Sequence, residues 1–215
     1  MGNALFRRAL RLWRRFETAA GLAEGSSTRA FFRLFRAYSS STRAYHDCRH
    51  VVDVVDGVTR MGRGLPSRSI ASVLAAAWYH DVVYDSRRGD NEERSAGVMA
   101  SEMRRCGLSR RAIVKSARLV MVTKRHSPSR GDAAGKVLAD ADLSTLSARA
   151  DRYDAYVADI RREYAWVPAD RYRAGRAAVL RSFAGRRSIY HTRRMHRREG
   201  AARANVEREI RALSD

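Results

Sequence analysis

Apolar residues recur at three- and four-residue intervals along almost the whole chain, and no stretch alternates as a half-buried strand requires. This pattern predicts an all-α protein. The candidate helices run from about Ala4 to Leu22, Ser27 to Tyr38, Tyr45 to Met61, Ser67 to Val83, Asn91 to Cys106, Ser109 to Thr123, Gly135 to Leu146, Asp151 to Ala165, Ala169 to Phe183 and Arg194 to Leu213. Ser67 and Ser109 stand where N-caps belong, and Asp90 precedes Glu92 and Glu93 in a first turn whose dipole suits acids. Gly62, Gly107 and Gly185 fall at expected stops, and the longest loop lies around Ser127 to Gly135. The first stretch, with Leu5, Leu12, Trp13 and Phe16 on one stripe, reads as a packed amphipathic helix despite its basic, leader-like composition.

Length and composition refine this picture. A chain of 215 residues that is 45% hydrophobic and has only three prolines fits one helical domain, residues 1–215. Its core motifs are expected in 45–146 and its C-terminal helices in 151–213. The formal charge of +20 suggests attraction to polyanions or phosphorylated ligands. Basic residues are nevertheless spread from Arg7 to Arg211, and only Lys115, Lys124 and Lys136 are lysines, so arginine-rich composition by itself is weak evidence for a nucleic-acid surface. Cys48 and Cys106 make no disulfide framework or zinc knuckle, which points to a reducing, cytoplasmic setting. No apolar run has the length of a membrane-spanning helix.

The chain has no P-loop, no Gly-rich dinucleotide fingerprint, no HExxH and no GxSxG. What it has is histidine with aspartate. "YHDCRHVVDVV" places His46 and His50 one helical turn apart, with Asp53 and Gly57 continuing that face. "WYHDVVYD" supplies His80, Asp81 and Asp85 at the end of an apolar run, and "VLADADLSTL" supplies Asp140 and Asp142. Two imidazoles and two carboxylates form a nitrogen and oxygen donor set suited to a divalent cation, Mn2+, Mg2+, Ni2+, Co2+ or Zn2+. Such an ion also explains why ionisable groups sit at the edge of a hydrophobic helix.

A His, then a His-Asp doublet, then a distant Asp is the signature of the HD superfamily of metal-dependent phosphohydrolases. His50, His80-Asp81 and either Asp140 or Asp142 resemble it in order. "RAYHDCRH", "WYHDVVYDSRRGDNEERSA", "LADADLSTL", "RYDAYVADIRREYAWVP", "YRAGRAAVLRSF", "IYHT" and "ARANVEREI" look like successive blocks of its predicted metal-dependent phosphohydrolase subgroup. "HDVVYD" is also similar to the "HDVVED" of guanosine-tetraphosphate hydrolases, with Tyr84 in place of the glutamate.

The resemblance implies a helical HD-type bundle around a metal held by His50, His80, Asp81 and Asp142 or Asp140. It also implies hydrolysis of a phosphate ester or phosphoanhydride of a small, nucleotide-like substrate by a metal-bound water. In that reading Asp81 is both ligand and neighbour of the attacking water, and Asp85 or Glu92 takes its proton. His46, Lys124, His126 and Arg94 are the expected substrate-binding groups. The alternatives are a basic α-helical nucleic-acid-binding protein, or an HD-type phosphodiesterase or nuclease.

Overall fold

The most apolar stretch of the sequence becomes the centre of the molecule. In the computed structural model, which describes residues 3–214, Ser67–Tyr79 forms a helix in which Val73, Ala75, Ala76, Ala77 and Trp78 have no exposed surface. Small alanines let neighbours approach it from several sides, whereas larger side chains would hold them apart.

The order is α1 (Asn3–Ala20), α2 (Thr28–Tyr38), α3 (Cys48–Met61), α4 (Ser67–Tyr79), α5 (Asn91–Arg105), α6 (Arg110–Thr123), α7 (Ala133–Asp142), α8 (Ala150–Glu163), α9 (Ala169–Ala184), α10 (Arg193–His196) and α11 (Glu199–Ser214). Single 3-10 turns follow α3 and α7, and no strand occurs among the described residues. Helix α4 contacts α1, α3, α5, α6 and α7. An aromatic cluster of Trp13, Phe16, Phe31 and Trp78 closes this body, with ring centroids 5.1 to 6.4 Å apart. A second apolar cluster, including Tyr153, Leu180, Ile189, Tyr190 and Val206, joins α8, α9 and α11. Met61 packs against both clusters.

Four of the predicted helices have different bounds or capping in the structure. Helix α3 starts at Cys48, because Asp47 caps it by accepting from the amides of Arg49 and His50, and so Tyr45 and His46 precede the helix. Helix α4 starts at Ser67 itself, behind Pro66 as N-cap. It ends at Tyr79, leaving His80 at its carboxyl end. Helix α7 begins two residues early under the Asp132 cap and gives way to a 3-10 turn at Leu143. The last predicted helix is split in two after α10, and Glu199 near the break accepts the amides of Ile189 and Tyr190. Ser109 caps α6 as expected.

Gly57 fixes the spacing that matters most for the site. A Cβ built there would lie 3.2 Å from the Cβ of Ala141, so its hydrogen side chain lets α3 press against α7. That contact sets His50 on α3 beside Asp142 at the end of α7.

Candidate metal centre

The segment after α4 is held by side chains from three directions. The Arg43 guanidinium donates to the carbonyls of His46, Asp81 and Val82 at 3.0, 2.6 and 2.8 Å. Asn91 ties the Asp85 backbone from both sides, accepting its amide at 3.1 Å and donating to its carbonyl at 2.9 Å. Ser95 Oγ does the same for Val83, at 3.1 Å to each group. A loop whose backbone is tied at Asp81, Val82, Val83 and Asp85 in this way holds His80 and Asp81 in one orientation.

His50, His80 and Asp142 meet at one point. His50 Nε2 and His80 Nε2 are 3.1 Å apart, and Asp142 Oδ1 is 3.2 Å from the first and 3.4 Å from the second. Asp81 Oδ2 joins them at 3.1 Å from His80 Nε2 and 3.6 Å from His50 Nε2. Ligands at ordinary metal–nitrogen and metal–oxygen distances of about 2.0–2.2 Å stand about 3.0–3.5 Å from one another around a shared ion. The donors therefore already have the separations one cation imposes, and the group of His50, His80 and Asp142 can hold a metal ion. The Nδ1–H of His80 donates to the Ala77 carbonyl at 2.9 Å, which turns Nε2 towards the other donors.

The electrostatics agree. Burial alone would lower the pKa of His50, but hydrogen bonds to Asp142 and Asp81 outweigh it and raise the value to about 9. Burial opposes a charged His80 too, yet the two carboxylates push its pKa well above the ordinary range. Asp81 and Asp142 are buried as well, and the neighbouring imidazoles nonetheless hold both well below the usual carboxylate range. A field that keeps protons on two buried imidazoles favours a cation in their place. The carboxyl ends of α4 and α7, negative ends of their dipoles, both point here.

The two aspartates of "DAD" have different partners. Asp142 faces the imidazoles, whereas Asp140 is fully buried elsewhere, its carboxylate accepting the amides of His191 and Thr192 at 2.8 and 2.7 Å. Asp85 is exposed and accepts the Arg87 amide at 2.9 Å in a turn, outside the cavity that adjoins the donors. Arg94 is exposed on α5 and does not line that cavity either. Glu92, Lys124, His46 and His126 do line it. Lys124 is engaged by Glu93 and by the Gly89 carbonyl. His126 Nε2 lies 2.8 Å from Asp142 Oδ2, on a backbone with φ of 48°, a left-handed conformation costly for histidine. Arg186 and His191 both donate to its carbonyl, at 3.2 and 3.1 Å, and hold it there. Asp53 turns away from the donors to pair with Arg8 and Arg152.

Glu163, which the spacing did not single out, organises the approach to the site. Its Oε1 accepts the amides of Ala44, Tyr45 and His46, each at 2.9 Å, and its Oε2 lies 2.6 Å from His46 Nδ1. Burial would raise its pKa, but His46 and these amides bring it down to about 2. The His46 ring stacks on Tyr84 with centroids 4.0 Å apart, and its Nε2 is 4.0 Å from Asp81 Oδ2. The only sequence signal for Glu163 was its place in the block "RYDAYVADIRREYAWVP", at the end of α8. Nothing local reveals that a glutamate there reaches residues 44–46.

No helix among the described residues is long and apolar enough to cross a membrane. No protein-family model matches the chain, nor does any curated protein or solved structure.

Proposed function

We propose that this protein is a metal-dependent phosphohydrolase of the HD type, acting on a small phosphorylated substrate. The observation that carries this reading is the convergence of His50 Nε2, His80 Nε2 and Asp142 Oδ1, from three separate elements, at 3.1 to 3.4 Å. His50, His80 and Asp142 would hold a divalent cation, with Asp81 as the fourth donor. When bound, such an ion lowers the pKa of water towards neutrality and polarises a phosphoryl oxygen as negative charge builds.

The chain's own groups supply the rest. Asp81 lies between His46 and the two ligand histidines and orients the nucleophilic side of the site. Glu92, a carboxylate that lines the cavity, takes the proton that Asp85, occupied in its turn, is not placed to take. His126 fixes Asp142 through Oδ2 and leaves Oδ1 facing the imidazoles. Lys124 and the half-buried His46 meet the non-bridging phosphate oxygens.

Purified protein should contain, or take up, a divalent ion, and should release phosphate from a panel of phosphomonoesters and nucleotides with manganese, magnesium, nickel, cobalt or zinc. A chelator and Asp81→Ala should each abolish release. A protein that takes up no metal, and instead binds oligonucleotides with an affinity that falls steeply with salt and survives both treatments, would be a basic nucleic-acid-binding protein.

A further inference from the structure

Another cavity, of about 570 Å3, is walled by the loops after α6 and α9, by α10 and by the start of α11, and it shares no lining residue with the one beside the metal donors. Its frame is fixed by polar contacts. Arg203, on α11, donates to the carbonyls of Ala184, Arg186 and Arg187 at 2.8, 2.7 and 3.3 Å, and so ties the loop after α9 at three points. Glu199, the one carboxylate among the described residues that line the cavity, is spent on the same frame. It pairs with Arg203 at 2.9 Å and accepts from Ser188 Oγ and from the amides of Ile189 and Tyr190. His191 and His196 each turn Nε2 to a carbonyl, that of His126 at 3.1 Å and that of Tyr190 at 2.8 Å.

Two arginines of the lining are left without a counter-ion. The Arg186 guanidinium lies over the Phe183 ring, 4.5 Å from its centroid, and donates to the carbonyls of Arg125 and His126 at 2.8 and 3.2 Å. Burial pushes its pKa down, and no carboxylate stands near enough to push it back. For Arg8, by contrast, burial is outweighed by Asp56 and Asp53, and the value rises. The exposed guanidinium of Arg187 and the Ser127 hydroxyl have no partner among the described residues.

A half-buried cation without a counter-ion is an unfavourable arrangement that an anion relieves. A guanidinium has more N–H groups than Arg186 uses on its carbonyls, and the whole fork of Arg187 is open. Guanidinia and a hydroxyl around one space match the several acceptor oxygens of a phosphoryl group better than they match a carboxylate. We propose that this cavity is a binding site for a phosphate-class oxyanion, free phosphate or the terminal group of a phosphorylated small molecule, held by Arg186, Arg187 and Ser127. The site stands apart from the metal donors and does not depend on the phosphohydrolase reading.

The test is calorimetric titration of the metal-free full chain with inorganic phosphate, ribose 5-phosphate and acetate at constant ionic strength. Arg187→Ala removes an exposed side chain and keeps the carbonyl that Arg203 holds, so the loop survives. It should weaken phosphate binding at least fivefold, and Arg186→Met should do the same, with circular dichroism confirming the fold of both. Lys124→Ala, in the donor cavity, and Arg11→Ala, which removes the same charge from α1, should each leave the Kd within twofold. Acetate should bind at least tenfold more weakly than phosphate. Tighter binding of ribose 5-phosphate than of phosphate assigns the site to an organic phosphate, and the reverse order assigns it to the free ion. No phosphate binding overturns the proposal. So does an equal loss in Arg11→Ala and Arg187→Ala, which would make the overall charge the cause, or a loss in Lys124→Ala alone, which would put the anion beside the metal donors.

Discussion

Replacing Glu209 by alanine tests the wall of the cavity beside the metal donors most directly. Arg176, on α9, and Glu209, on α11, have side chains only 10% and 4% exposed, and they pair through Arg176 Nε to Glu209 Oε1 at 2.8 Å. A second bond runs from Arg176 Nη2 to Oε2 at 3.1 Å, and Tyr153 donates its hydroxyl to Oε2 at 2.6 Å. Removing the carboxylate strands a buried guanidinium and a buried phenol. Breaking a buried pair by deleting one partner costs about 3–5 kcal/mol. For a chain of this length each kcal/mol is worth roughly 2–4 °C in Tm, so Glu209→Ala should lose about 6–20 °C in a calorimetric or fluorescence melt. The triple change Tyr153→Phe, Arg176→Met, Glu209→Leu removes the carboxylate, the guanidinium and the phenol together, leaving only the Tyr156 hydroxyl without its Arg176 donor, and should recover most of that loss. The divalent-ion donors lie on other elements, so the rise in Tm on adding metal should survive in both variants. A loss below about 2 °C for Glu209→Ala, or no recovery in the triple variant, would refute the argument that this pair is buried and mutually dependent.

Further outcomes follow from the site. A divalent ion at about one hundred times its Kd should stabilise the protein by roughly 2.7 kcal/mol, seen as a Tm rise that His50→Ala or Asp142→Ala abolishes. Asp140→Ala should instead leave that rise intact while lowering stability by about 1–3 kcal/mol, because two buried amides lose their acceptor. Glu163 has its pKa lowered from 4.5 to about 2, so it contributes stability that is complete above pH 4.5 and lost as pH falls towards 2. Glu163→Gln should be less stable at neutral pH and show a shallower acid-unfolding slope across that window. Gly57→Val should cost about 1–3 kcal/mol by forcing α3 from α7, and should weaken metal binding because His50 and Asp142 ride on those helices.

What the sequence determined by itself was local. Apolar periodicity sufficed for the all-α class and for nearly every helix, and His50, His80 and an aspartate of "DAD" stood out because the chain has only six histidines and these two stand in order with neighbouring aspartates. Periodicity could not separate Asp140 from Asp142, since two positions apart on one short helix they face different ways, and only the neighbours decide which face meets the imidazoles. The amides of His191 and Thr192 take one, and the imidazoles of α3 and α4 take the other. The early start assigned to α3 failed for the same reason. The amides of residues 44–46 bond to Glu163, about 120 positions along the chain, and no local rule anticipates a partner at that range. Asp85 and Arg94 look as chemical in the sequence as Glu92 does, yet a turn and an outward helix face remove them from the cavity. Local spacing governs which backbone torsions are favourable, whereas ligand geometry depends on distances between elements, and those are set by packing such as the Gly57–Ala141 contact.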